Sequence, residues 1–128
     1  MIYFPMTANI LTAGHIKCIE WLSKKDSVMI GLLTAKALKG YKREIVPYED
    51  RFYIMLQIAK SFDNVYVIPQ DSLEPKNAAH CDAIASGDGW EPVELEMIKR
   101  YNIKRIDIKL KGEKSKRYSS TAILRSAK

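Results

Sequence analysis

Cysteine is nearly absent from this chain: Cys18 and Cys81 are the two in 128 residues, and they match no zinc or redox spacing. They read as core or free thiols in a reducing compartment, which makes the expected location cytoplasmic. Histidine is as scarce, with His15 and His80 alone. No apolar run approaches the roughly 20 residues that a membrane span needs. The apolar N-terminus lacks a basic leader and is interrupted by Pro5, so it reads as a strand and not as a signal peptide. Internal repeats and long linkers are missing too, which leaves residues 1–128 as one expected domain with a single core. The 47% hydrophobic and 28% charged fractions are those of a soluble globular protein.

What is present is charge of one sign at one end. The formal net charge is +6. Residues 104–128 hold nine Lys and Arg against Asp107 and Glu113, whereas residues 1–103 hold twelve against thirteen acids. A basic end attracts anions such as nucleotide phosphates or nucleic acid. Ile106, Ile108 and Leu110 alternate within it, so an anion site built into a fold is a better reading than a polynucleotide-binding tail.

Short apolar runs supply the strands. Residues 2–6, 28–33 and 65–68 read as strands, the latter two buried on both faces and the third ending at Pro69. Residues 83–85 are a weaker instance, and 105–110 alternate as an edge strand should. Helical patterns fall at 15–25, at 49–61 with Phe52, Met55, Leu56 and Ala59 on one stripe, and at 91–101 with Val93, Leu95, Met97 and Ile98 inward. A short last helix is expected at 120–127. This alternation predicts an α/β fold: a Rossmann-like three-layer sandwich on a five-stranded, mainly parallel sheet. Ligands of such sheets bind beyond the C-terminal ends of the strands, where the strand order switches.

Four polar clusters follow predicted strands and so belong to that edge: Thr7 to His15, Lys36 to Arg51, Ser86 to Trp90, and Lys111 to Thr121. In the first, a helix start with free N–H donors follows a loop of Thr, Asn, Gly and His, a favourable place for phosphate. Each cluster also has an ordinary reading: Thr12 as a helix cap, Arg51 as an ion-pair partner of Glu49 or Asp50, Trp90 as core packing, the lysines as a solvated loop.

Taken in order, the clusters resemble the cytidylyltransferase-like nucleotidyltransferases over nearly the whole chain. Thr7 to His15 is similar to their first signature, G-T-F-D-x-x-H/T-x-G-H, and Tyr118-Ser119-Ser120-Thr121-Ala122-Ile123 to their second, I-S-T/S-T/S-x-I. Leu38-Lys39-Gly40 with Pro47, Glu49 and Arg51 resembles the Lys-rich loop and Glu-x-Arg helix start. Ser86-Gly87-Asp88-Gly89-Trp90 resembles the G-D-D-W of glycerol-3-phosphate and related phospho-alcohol cytidylyltransferases. The chain departs from these patterns at Met6 (usually Gly), Asn9 (usually Asp), Thr12 (His in cytidylyltransferases, Thr in related adenylyltransferases) and Gly89 (the second Asp). Lys114 stands where the glycerol-3-phosphate enzymes carry Arg.

The resemblance implies transfer of a nucleotidyl group from CTP, or alternatively ATP, to a small phosphorylated or phosphonylated alcohol or amine, with release of pyrophosphate. It implies Thr12, His15, Lys39 and Lys42 as catalytic residues. Thr7, Ala8, Asn9, Gly14, His15, Gly87, Asp88, Trp90, Tyr118, Ser119, Ser120 and Thr121 are implied as nucleotide-binding. Lys42, Arg51 and Lys114 are implied as ligands of the acceptor phosphate. Mg²⁺ is expected with the triphosphate, no protein-held metal is expected, and a homodimer is implied, with Tyr48, Phe52 and Tyr53 as contact residues. The alternative outside enzymes is a nucleotide- or nucleic-acid-binding module that uses the basic end.

Overall fold

The computed structural model describes residues 1–87 and 89–110. Asp88 and residues 111–128, with the implied ligands Lys114, Tyr118, Ser119, Ser120 and Thr121 and the expected last helix, lie outside the described residues. The strands are β1 (Ile2–Met6), β2 (Val28–Leu33), β3 (Val65–Gln70), β4 (Ala83–Ser86) and β5 (Lys104–Asp107). The helices are α1 (Ala13–Ser23), α2 (Ala35–Leu38), α3 (Tyr48–Ala59) and α4 (Pro92–Tyr101), with a 3-10 turn at Lys76–His80. All strands join one sheet in the order β3-β2-β1-β4-β5, and every pairing is parallel. This is the Rossmann-like α/β fold.

Side-chain alternation along β1 sorts the two faces. Ile2, Phe4 and Met6 pack with Ile19 and Leu22 of α1 and Met55 and Ala59 of α3. Tyr3, on the opposite face, packs with Ala78, Ile84, Met97 of α4 and Ile103. Helices thus cover both faces, as a parallel sheet requires. A third apolar group, Leu33, Ala37 and Leu38, lies under α2.

Two local readings change. β3 is the outer strand beside β2, so Tyr66 is half exposed and the strand is not buried on both faces. It also runs through Pro69 to Gln70, which an edge strand tolerates. On α4 the inward stripe holds Glu94 and Met97, and Leu95 is exposed. The Glu94 carboxylate is tolerated there because its Oε1 accepts the Glu91 N–H at the helix start, 2.8 Å away.

β1 is the hub. It pairs with β2 along its whole length, from Ile2↔Val28 to Met6↔Leu32, but with β4 only at Ile2↔Ala83 and Tyr3↔Ile84. Pro5, which has no N–H to donate, lies beyond the β4 pairing. The two strands therefore separate toward their C-terminal ends, where the strand order switches.

Gly31 in β2 is fixed by a close crossing. The Tyr3 ring lies over it and donates its hydroxyl to Gln70 Oε1 at 2.7 Å. A Cβ at position 31 would overlap that hydroxyl and stand 2.6 Å from Gln70 Oε1. Gly31→Ala is therefore expected to cost about 3 kcal/mol, the range of an overpacked core with a disturbed buried hydrogen bond. Urea denaturation against the unsubstituted chain measures it.

Candidate functional site

Where β1 and β4 part, a cleft of about 600 Å³ opens. Its floor is the end of β1, with Phe4, Pro5 and Met6. Thr7, Ala8, Asn9, Thr12, Gly14 and His15 follow on the loop into α1, and Ser86, Gly87, Gly89 and Trp90 stand on the β4 side. Tyr41 and Lys42 approach from the segment after α2, and Glu91 and Glu94 from the start of α4. Three of the four clusters thus meet at one edge of the sheet.

The α1 start is organised around His15. Thr12 is the N-cap residue, in extended backbone. Its own N–H donates to His15 Nδ1 at 3.0 Å, and its hydroxyl lies 3.1 Å from the same nitrogen. A backbone N–H can only donate, so Nδ1 is the acceptor and the proton of the neutral ring belongs on Nε2. The side chain is thereby oriented by its own helix cap. The N–H groups of the first turn point the same way and add partial positive charge at the same place.

Arg51 is the main correction to the expected site. It is 1% exposed. Its Nε donates to Val46 O at 2.8 Å, Nη1 to Thr7 O at 2.9 Å and to Leu33 O at 2.5 Å, and Nη2 to Glu44 Oε2 at 2.7 Å. Those donors face carbonyls at the ends of β1 and β2 and the segment leading into α3, with the Glu44 carboxylate, so Arg51 builds the cleft's frame and does not line it. Its partner is Glu44, not the neighbouring Glu49 or Asp50.

Asn9 lines the cleft, but its amide is engaged with the segment after α2. Nδ2 donates to Arg43 O at 2.8 Å, and Oδ1 accepts the Ile45 N–H at 3.0 Å. Between Thr7 and Asn9, Ala8 holds φ at +55°, a left-handed conformation that strains an alanine by roughly 1–2 kcal/mol. Lys39 is exposed at the end of α2 and does not line the cleft, whereas Lys42, bonded through its N–H to Leu38 O, does. Tyr48 and Phe52 pack against the core with ring centroids 5.7 Å apart, leaving Tyr53 as the exposed member of the three expected at a dimer contact.

The departures from the family patterns have local causes. Gly89 takes φ +117°, where a side chain is strained, and its carbonyl accepts the Ser86 hydroxyl. Met6 is 6% exposed and belongs to the core. Trp90 packs on the Tyr3 side, donates Nε1 to Asp107 Oδ1 at 2.7 Å, and still lines the cleft.

Tyr41, Gln70, Glu91 and Glu94 also line the cleft, and no sequence motif singles them out. Gln70 had a signal in its place at the C-terminal end of a strand. The two glutamates, three apart at a helix start, read only as helix-forming residues. Tyr41 donates its hydroxyl to Glu91 Oε1 at 2.9 Å. Burial, with the Glu91 carboxylate beside it, pushes that hydroxyl up to about 12, so it stays a donor at neutral pH.

Comparison with known proteins fits this geometry. The cytidylyltransferase-like family matches residues 3–126. The chain belongs to that family. Among solved structures, it is similar to the lipopolysaccharide core biosynthesis protein from Thermoplasma volcanium GSS1. The TM-score is 0.67 at 18% identity, covering 87% of this chain and 97% of that one, a likeness of fold. No curated protein matches the chain at a significant level. Among the described residues, no helix of this cytidylyltransferase-like chain is long and apolar enough to cross a membrane.

Two outcomes follow. Arg51→Met leaves the Thr7, Leu33 and Val46 carbonyls without their donor and should cost about 3 kcal/mol in urea denaturation. Arg51→Lys should recover only part of this, because an ammonium cannot span the same fork. Burial raises the Glu94 carboxyl above its ordinary 4.5, partly offset by the Glu91 N–H and Lys42. Its contribution to stability is therefore complete below pH 4.5 and is lost as pH rises through the higher folded value. Glu94→Gln keeps an acceptor for the Glu91 N–H, so it should raise the denaturation midpoint at pH 7 and lose that advantage near pH 4.

Proposed function

We propose that this chain is a CTP-dependent cytidylyltransferase that joins CMP to a small phosphorylated or phosphonylated alcohol or amine. The observation that carries the reading is His15: its Nδ1 is tied to the Thr12 N–H, its ring is on the wall of the cleft, and the α1 start is beside it. An oxygen of the acceptor phosphate attacks the α-phosphorus of the triphosphate. The new P–O bond forms as the bond to the bridging α–β oxygen breaks, and pyrophosphate leaves with the electron pair. No covalent enzyme intermediate is required, so the protein's work is positioning and charge stabilisation.

In this reading His15 Nε2–H and the Thr12 hydroxyl donate to the α-phosphate as charge accumulates, and Lys42 receives the acceptor phosphate. Thr7, Ala8, Gly14, Gly87 and Trp90 shape the nucleotide subsite, joined by Asp88, Tyr118 and Ser119 to Thr121, while Lys114 joins Lys42. Among the described residues no three His, Cys, Asp or Glu gather as a metal cage. In this reading Mg²⁺ travels with the triphosphate, held by phosphate oxygens and water, and neutralises part of its charge. Cytoplasmic location and a homodimer belong to the same reading. Thr12 favours one other reading, an ATP-dependent adenylyltransferase of the same fold.

Pyrophosphate release with CTP and with ATP, across a panel of small acceptor phosphates, separates the two. Turnover with ATP alone would overturn the cytidylyl assignment. His15→Ala should lower turnover by roughly 10²–10³, the usual loss for one transition-state donor. A non-catalytic binding module would instead show steeply salt-dependent binding to polynucleotide that His15→Ala leaves unchanged.

A further inference from the structure

Residues 39–47 run from α2 to α3 without helix or strand, yet they carry Tyr41 and Lys42 onto the cleft wall. Side chains tie this segment down at several points. Glu44 meets Arg51, whose Nε also donates to Val46 O, and Tyr41 reaches across to Glu91 on α4. Asn9 grips the main chain beside Lys42 with both ends of its amide. Its Nδ2 donates to the carbonyl of Arg43, the residue next to Lys42, and its Oδ1 accepts from the amide of Ile45. Meeting both needs a donor and an acceptor on one short side chain. Aspartate offers acceptors alone and would set its charge against the Arg43 carbonyl. That accounts for an amide where the family pattern usually carries a carboxylate.

We propose that Asn9 is a positioning residue for Lys42. It fixes the backbone of 43–45 so that Lys42 stands at the acceptor end of the cleft, and it acts on acceptor binding and not on the nucleotide. The proposal rests on the role given to Lys42 in the transfer reaction.

The test uses the full chain with Asn9→Ala, Asn9→Asp, Lys42→Ala and the double variant Asn9→Ala/Lys42→Ala. Amide hydrogen exchange at Ile45 should accelerate about tenfold in Asn9→Ala, as expected for losing a bond worth roughly 1.4 kcal/mol. KM for the acceptor should rise about tenfold in Asn9→Ala while KM for the nucleotide changes by less than about twofold, with Asn9→Asp between it and the unsubstituted chain. The double variant should be no worse toward acceptor than Lys42→Ala alone, since the two substitutions remove one function. Additive effects, a change carried by the nucleotide KM, or unchanged exchange at Ile45 would each overturn the role of Asn9 and leave the transfer reaction standing. No pyrophosphate release by the unsubstituted chain with any acceptor would overturn the reaction, and the role of Asn9 in it.

Discussion

The guanidinium of Arg51 is the interaction on which the cleft depends. A buried cation is costly unless its donors are met, and here they are met by main-chain carbonyls from separate places. Thr7 closes β1, Leu33 closes β2, and Val46 belongs to the segment leading into α3. One side chain on the inward face of α3, in register with Met55 and Ala59, thereby sets the relative positions of two strand ends. The loop into α1 starts from one of them, and α2 with the segment that carries Lys42 follows the other.

The sheet supplies the rest of the geometry. β1 separates from β4 after two paired residues, and the cleft occupies the opening. The N–H donors of the α1 start stand beside His15, while Glu91 and Glu94 stand at the start of α4, with Lys42 close enough to act on the charge of Glu94. The cleft thus has its helix-start donors on one side and its carboxyl groups, with a lysine near them, on the other. Tyr41 ties the segment that carries Lys42 to α4 by donating to Glu91.

Much of this was legible in the sequence because it depends on periodicity and on strand ends. Continuous apolar runs locate the central strands, and the alternation at 105–110 points to the edge strand β5, which ends at Asp107 and not at Leu110. The convergence of Thr7, Thr12, Gly14, His15, Lys42, Gly87 and Trp90 followed from strand ends alone. What pattern could not give was the direction of side chains within a cluster. Arg51 looked like a phosphate ligand because it is cationic and near the edge, but orphan carbonyls at two strand ends claim its donors first. Asn9 looked like a nucleotide contact for the same reason of place, and the main chain of 43–45 takes its amide. Glu94 was invisible because a buried carboxylate is improbable until the Glu91 N–H that donates to it is known. Lys39 and Lys42 looked equivalent in a lysine-rich stretch, and only the turn after α2 distinguishes them.

The register of β1 also bears on how the chain reaches this state. Its pairing with β2 joins Ile2 to Val28, whereas its pairing with β4 joins Ile2 to Ala83. The β3-β2-β1 half of the sheet can be assembled from the first seventy residues, and the β4-β5 half must then close onto it across a far longer loop. Closures of that span slow folding, because chain entropy is lost before the contacts that repay it form. The cleft lies on this seam, so a partly assembled chain can hold ordered strands and still possess no site.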